Sequence, residues 1–137
     1  DFITVGAPHP LQEAAVTALE FPASYYTYLR EGYQARRDLL FEQVEAAGFL
    51  AWKPRGAYYI LTDAAHFMKR YDCGDDIAFA RGLLAQYNVT VLPGSLLARP
   101  AHGANLGAGR IRLALVAGVE ECLAAAERIV AYTRERP

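Results

Sequence analysis

The sequence predicts an α/β domain of two layers, in which a small β-sheet is covered by helices and a long connecting helix stands near the N-terminus. Three observations predict it. Apolar residues recur at helical spacing between residues 24 and 47. Three short runs rich in branched or aromatic residues, at 56–62, 89–92 and 109–116, read as strands. Helical patterns and turn residues separate those runs, which is the alternation of a layered fold.

Taken in order, residues 1–8 form an entry segment, and Pro8 and Pro10 suit a helix start. Leu11, Ala15, Ala18 and Leu19 would be the inner face of a short helix that stops before Pro22. Ser24 is placed to cap the next helix, whose inner stripe would be Leu29, Tyr33, Leu40 and Val44. Gly48 suits a left-handed helix end, with Phe49 folding back. The run from Gly56 to Thr62 is a strand, and Asp63 can cap a helical turn reaching Met68. Asp75 or Asp76 can cap a helix to about Gln86, with Ile77, Ala80 and Leu84 inward. Asp72, Asp75 and Asp76 read as cap and solvated loop, because no ligand-spaced histidine or glutamate accompanies them. Val89 to Leu92 is a strand, and the long connection from Pro93 to Ala108 follows. A loop of that length is either functional or a mobile surface excursion, and length alone does not choose. After the strand at 109–116, Gly118 introduces a last helix with Val119, Leu123, Ala126 and Val130 on one face.

Composition narrows the function. The 137 residues read as one domain with a real core, 53% hydrophobic and 21% charged. A formal net charge of -1 gives no electrostatic case for nucleic acid or an acidic membrane. No apolar run approaches a transmembrane span, and no signal peptide is visible. Cys73 and Cys122 are too few and too far apart for a disulfide framework, so reduced thiols and a cytoplasmic setting are expected. The chain opens Asp1-Phe2-Ile3 without an initiator methionine, so it is expected to be a piece of something longer.

Strand alternation in Gly109–Val116 puts Ile111, Leu113 and Leu115 on one face and Arg110, Arg112, Ala114 and Val116 on the other. Arg112 is thus a guanidinium planted in a segment that otherwise reads as core. Desolvating it unpaired would cost several kcal/mol, so it needs a partner. That partner is either an internal carboxylate or the carboxylate of a ligand, gripped by the planar fork of donors. Periodicity leaves both open. His9, His66 and His102 are not at metal-ligand spacing, and no G-x-S-x-G, phosphate-loop or dinucleotide motif occurs.

Three patterns taken together point further: Pro54-Arg55-Gly56-Ala57-Tyr58-Tyr59-Ile60-Leu61, Val89-Thr90-Val91-Leu92-Pro93-Gly94-Ser95, and Arg110-Ile111-Arg112-Leu113-Ala114-Leu115. In this order and at these separations they resemble the C-terminal portion of class I/II aminotransferases, pyridoxal-phosphate enzymes of fold type I. Val5-Gly6-Ala7-Pro8-His9-Pro10-Leu11-Gln12 is similar to the segment just after that family's cofactor-binding half. The resemblance covers essentially the whole chain. It implies a small domain that closes over an amino-acid or 2-oxo-acid substrate, in a homodimeric parent. It implies that Arg112 binds the substrate α-carboxylate, with Arg110 one pleat away as the alternative. It also implies that Gly56 and Tyr58 line the substrate pocket and that Pro93, Gly94 and Ser95 begin a loop at its mouth.

The sequence departs from the family at the catalytic centre. The only lysines, Lys53 and Lys69, do not stand in the family's cofactor-lysine context, so pyridoxal 5'-phosphate is expected in an intact parent and not on this chain. The cofactor domain is expected upstream, leaving the chain inactive alone. Aspartate-type members use a second arginine whose place would fall near Asp1-Phe2-Ile3-Thr4, which holds none, so a neutral or aromatic amino donor is expected. Other readings share these features: a C–S lyase, a synthase, the aminotransferase-like domain of a transcription regulator, or a cofactor-free two-layer binding module. The last would satisfy Arg112 with an internal Asp or Glu.

Overall fold

A computed structural model describes residues 6–134. The expectations that rest on Asp1–Thr4 lie outside the described residues. The element order is α1 (His9–Leu19), α2 (Ala23–Ala46), β1 (Leu50–Trp52), β2 (Tyr59–Asp63), α3 (Ala65–Arg70), α4 (Asp76–Tyr87), β3 (Leu92–Pro93), a 3-10 turn (Gly94–Leu96), β4 (Arg110–Ala114) and α5 (Val119–Arg134). The chain divides into two compact units, one ending at Gly32 and the other beginning at Tyr33.

The first unit holds α1 and the start of α2. Pro10 stands in the first turn of α1, where its missing N–H is not needed. The expected inner face of α1 is not buried within this unit: Leu11, Ala15, Ala18 and Leu19 are all exposed. Phe21, Tyr25, Tyr26 and Tyr28 are exposed as well, and Leu29 joins them rather than the core. Phe21 and Tyr25 pack edge to face at 4.7 Å, and the Tyr26 hydroxyl donates to the Ala18 carbonyl at 2.5 Å.

The second unit is built on a four-stranded sheet of order β1-β2-β4-β3, antiparallel throughout. Leu40 and Val44 of α2 are buried. The helix then ends as a Schellman motif: Gly48, at φ 91°, donates to the Glu45 carbonyl, and Phe49 donates to that of Val44. Ile60, Ile111, Leu113 and Leu115 from the sheet meet Phe67 and Met68 of α3, Phe79, Ala80 and Leu83 of α4, and Ala126, Ile129 and Tyr132 of α5. The helices therefore cover one face of the sheet, and the apolar side of the Arg112 strand is the side they cover.

Several registers differ from the sequence expectation. Leu50–Trp52 is a strand that sequence reading passed over, paired to β2 by Ala51 opposite Thr62. The expected strand at 56–62 begins only at Tyr59, because Ala57 takes a left-handed conformation at φ 59°. The expected strand at 89–92 pairs only at Leu92 and Pro93, since Val89 and Val91 are buried and the Val89 N–H returns to Leu83. In α4 the inward residues are Phe79, Ala80 and Leu83, while Leu84 is exposed. In α5 they are Cys122, Ala126, Ile129, Tyr132 and Thr133, and Val119 is exposed. The α5 face is turned by Tyr132, whose ring packs against Phe79, Tyr71 and Tyr87 at 5.3, 5.6 and 5.4 Å. Among the described residues no helix is long and apolar enough to cross a membrane.

Candidate functional site

The uncovered face of the sheet carries Arg110 and Arg112. Cross-strand register places Leu61 and Leu92 on either side of Arg112, and Asp63 opposite Arg110. Paired residues of a sheet share a face, so Leu50, Trp52, Tyr59, Leu61, Asp63, Leu92, Arg110, Arg112 and Ala114 look out together. Leu50, Trp52 and Leu61 are exposed, and both arginines are half-buried.

The guanidinium carbon of Arg112 lies 4.0 Å from the centre of the Tyr59 ring. Among the described residues, the ion pairs are His9–Glu13, Arg37–Asp38 and Lys53–Asp38, so no internal carboxylate holds Arg112. Arg110 is engaged differently. One of its terminal nitrogens donates to the Leu106 carbonyl, and its guanidinium carbon lies 5.6 Å from the Trp52 ring centre. Asp63, directly opposite, instead accepts from the Ala65 N–H at 2.9 Å.

Tyr58 is exposed and reaches Arg112 through its neighbour: the Tyr58 and Tyr59 rings are 4.4 Å apart, and Tyr33 of α2 lies 6.1 Å from Tyr58. The adjacent Tyr59 hydroxyl holds the Tyr58 phenol above its ordinary value, and the Arg112 cation acts in the opposite direction. Gly56 stands two residues before Tyr58, exposed, and a Cβ there would meet nothing within 4 Å. The turn that carries both is pinned to α2: Arg37 donates to the Pro54 carbonyl at 3.2 Å, and Lys53 pairs with Asp38 at 3.0 Å. Ala57 holds its left-handed backbone inside this turn, a conformation costing an alanine roughly 1–2 kcal/mol. Such strain persists where surrounding contacts over-determine it, often beside a site.

The long loop is ordered by residues that sequence reading did not single out for it. Asp75 caps α4 by accepting from the Ala78 N–H at 2.7 Å. Asp76, 2% exposed, accepts from both the backbone N–H and the hydroxyl of Ser95, at 2.7 and 2.8 Å. Asn105 then donates to the Ser95 and Ala98 carbonyls and accepts from the Gly107 N–H. The loop begins at Pro93, one residue past Leu92, the cross-strand neighbour of Arg112. His102 lies in this loop at φ 52°, exposed. A groove of about 490 Å³ between α5 and the end of β4, lined by Leu40, Val89, Cys122 and Arg128 among others, does not include Arg112. Burial pushes the Cys122 thiol up within it, which disfavours the thiolate.

A domain of helices packed on one face of an antiparallel sheet, with an arginine free of internal carboxylates on the other, is the setting in which the family match falls. The sequence profile described as aminotransferase class I and II matches residues 1–129, and the chain belongs to that family. It is 35% identical over 131 residues to the arginine–pyruvate transaminase of Pseudomonas aeruginosa, a match covering 95% of this chain and 30% of that protein. It is 32% identical over 123 residues to the LL-diaminopimelate aminotransferase of Natranaerobius thermophilus, covering 90% of this chain and 29% of that one. The solved aromatic aminotransferase from Pyrococcus horikoshii OT3 superposes with a TM-score of 0.74 at 27% identity, over 91% of this chain and 31% of that structure. The chain thus spans less than a third of the length of these relatives.

The family implies pyridoxal phosphate, and the residues described here do not assemble a place for it. The cofactor needs a free lysine amine. Lys53 is committed to Asp38 and lies 5.6 Å from the Phe41 ring centre, and Lys69 is exposed on α3. What the chain does offer is a guanidinium on an aromatic platform beside an ordered loop.

Proposed function

We propose that this chain is the substrate-closing small domain of a larger pyridoxal-phosphate-dependent aminotransferase, moving an amino group between an amino acid and a 2-oxo acid. The supporting observation is Arg112, half-buried on the uncovered face with no internal carboxylate at ion-pair distance among the described residues. Both kinds of substrate present a planar α-carboxylate, and a bidentate fork fixes its orientation relative to the reacting carbon. Gly56 leaves the approach open, and Tyr58 gives it an aromatic wall. Residues that hold the cofactor lie outside these 137 residues in this reading, and the chain alone is inactive.

A neutral or aromatic amino donor fits the face best. Leu61 and Leu92 flank Arg112, the Tyr59 ring lies against it and Trp52 stands beyond Leu61, while the other guanidinium, Arg110, is occupied by the Leu106 carbonyl and Trp52. Of the two arginines on this face, only Arg112 is left for a carboxylate. A homodimeric parent in the cytoplasm completes the reading. Borohydride reduction of the full-length protein loaded with pyridoxal phosphate, followed by peptide mapping, tests it. The label is expected on a lysine outside this chain, with amino transfer lost on reduction. Stoichiometric labelling of Lys53 or Lys69, or a loaded protein that transfers no amino group, contradicts it.

A further inference from the structure

The flat face of a guanidinium and its edge do different work. The face stacks on aromatic rings, and the in-plane N–H groups form the fork that grips a carboxylate. The Arg112 guanidinium carbon lies over the Tyr59 ring, 4.0 Å from its centre, within stacking distance. Its N–H edge donates to no carboxylate of the described residues. Tyr59 and Arg112 are not opposite one another in the sheet, since Tyr59 pairs with Ala114 and Leu61 with Arg112. They meet across the diagonal of the β2–β4 ladder, within reach of a long side chain and a ring. Tyr59 is held in turn by Tyr58 at 4.4 Å, and Tyr58 by Tyr33 of α2 at 6.1 Å. The arginine therefore stands at the end of a row of three rings anchored on a helix.

We propose that Tyr59 is a positioning residue that holds the face of the Arg112 guanidinium and so presents its N–H edge, already oriented, to the substrate carboxylate. The inference rests on the reading of Arg112 as the carboxylate clamp and adds what pre-organises it. An arginine side chain free to rotate would lose rotamer entropy on each binding event, and a stacked one has lost it on folding. The ring, and not its hydroxyl, carries the effect, so phenylalanine should replace tyrosine here and an aliphatic residue should not.

The test is calorimetric titration of the intact holoenzyme with 3-phenylpropionate and with its amide, which keeps the shape and removes the charge. Tyr59→Leu is expected to weaken the acid by about three- to thirty-fold, the range of a cation–ring contact, and to leave the amide unchanged. Tyr59→Phe is expected to bind the acid like wild type. Should Tyr59→Leu fail to fold, a series of fluorinated phenylalanines at position 59 keeps the shape while draining the ring face. Affinity for the acid that falls with each fluorine supports the proposal, and affinity that stays flat overturns it. Tyr59→Leu binding like wild type while Arg112→Lys binds poorly overturns the role of Tyr59 and leaves the clamp standing. Arg112→Lys binding like wild type overturns both.

Discussion

Gly94 and Gly107 lie back to back across the loop that follows β3. A Cβ on Gly94 would run into the Gly107 carbonyl and meet the Arg110 Cβ and carbonyl at 2.9 Å, and one on Gly107 would run into the Gly94 carbonyl. These are backbone atoms of a pinned loop, so they cannot yield as a flexible side chain would.

Gly107→Ala is therefore expected to destabilise the domain by about 1–3 kcal/mol, the usual cost of overpacking. Gly6→Ala, where a Cβ would meet nothing within 4 Å, serves as the neutral comparison. Urea unfolding of both variants checks it, and a Gly107→Ala midpoint equal to that of Gly6→Ala counts against the close contact.

Asp76 ties the start of the same loop to α4 through both Ser95 donors. Asp76→Ala should cost about 1.5–3 kcal/mol, because bonds to a charged acceptor are lost and a Ser95 donor is left without one. Asp76→Asn should cost less, since the Ser95 hydroxyl can turn to accept from the new amide. Hydrogen exchange at the Ser95 amide reports this locally. Protection there unaltered in Asp76→Ala would show that the loop is held by other means.

Acid should loosen the turn that carries Gly56 and Tyr58. Hydrogen bonds from Lys53, then Arg37, hold the Asp38 carboxylate below its ordinary value of 3.8. The sign follows from linkage. A depressed carboxylate contributes stability above its unfolded value and loses it as pH falls through the folded one. The advantage of wild type over Asp38→Asn should thus be present near neutral pH, begin to fall near pH 3.8 and vanish only below the lowered folded value. It should also shrink with added salt, as the pair is partly exposed. Melting temperatures of the two proteins across pH and salt check this, and a difference indifferent to pH would refute it.

The uncovered face was legible in the sequence because strand alternation is strict: placing Ile111, Leu113 and Leu115 together forces Arg110 and Arg112 to the other side. Helix faces were less legible. Val119, Leu123, Ala126 and Val130 match helical spacing, but the large ring of Tyr132 decides which way α5 turns, by seeking Phe79, Tyr71 and Tyr87. The space it occupies exists because residue 82 is glycine, where a Cβ would stand 2.7 Å from the Tyr132 hydroxyl oxygen. β1 was hidden because three residues carry too little pattern. Order in the 93–108 loop was hidden for another reason. It depends on Asp76 and Asn105 bonding to positions that only the fold brings near. The Tyr59–Arg112 stack was within reach of sequence only as two separate strands, since their diagonal register is set by pairing.

Arg112→Lys in the full-length enzyme keeps the charge and removes the fork, and steady-state kinetics beside Arg110→Lys tests the carboxylate clamp most directly. Loss of a charged, hydrogen-bonded partner of this kind costs about 2–5 kcal/mol, so kcat/KM should fall by roughly tens- to thousands-fold. Arg110→Lys should cost far less, since Arg110 is bound to Leu106 and Trp52 and not aimed at substrate. Wild-type turnover by Arg112→Lys, or a crippled Arg110→Lys beside it, would contradict the assignment of the clamp to Arg112.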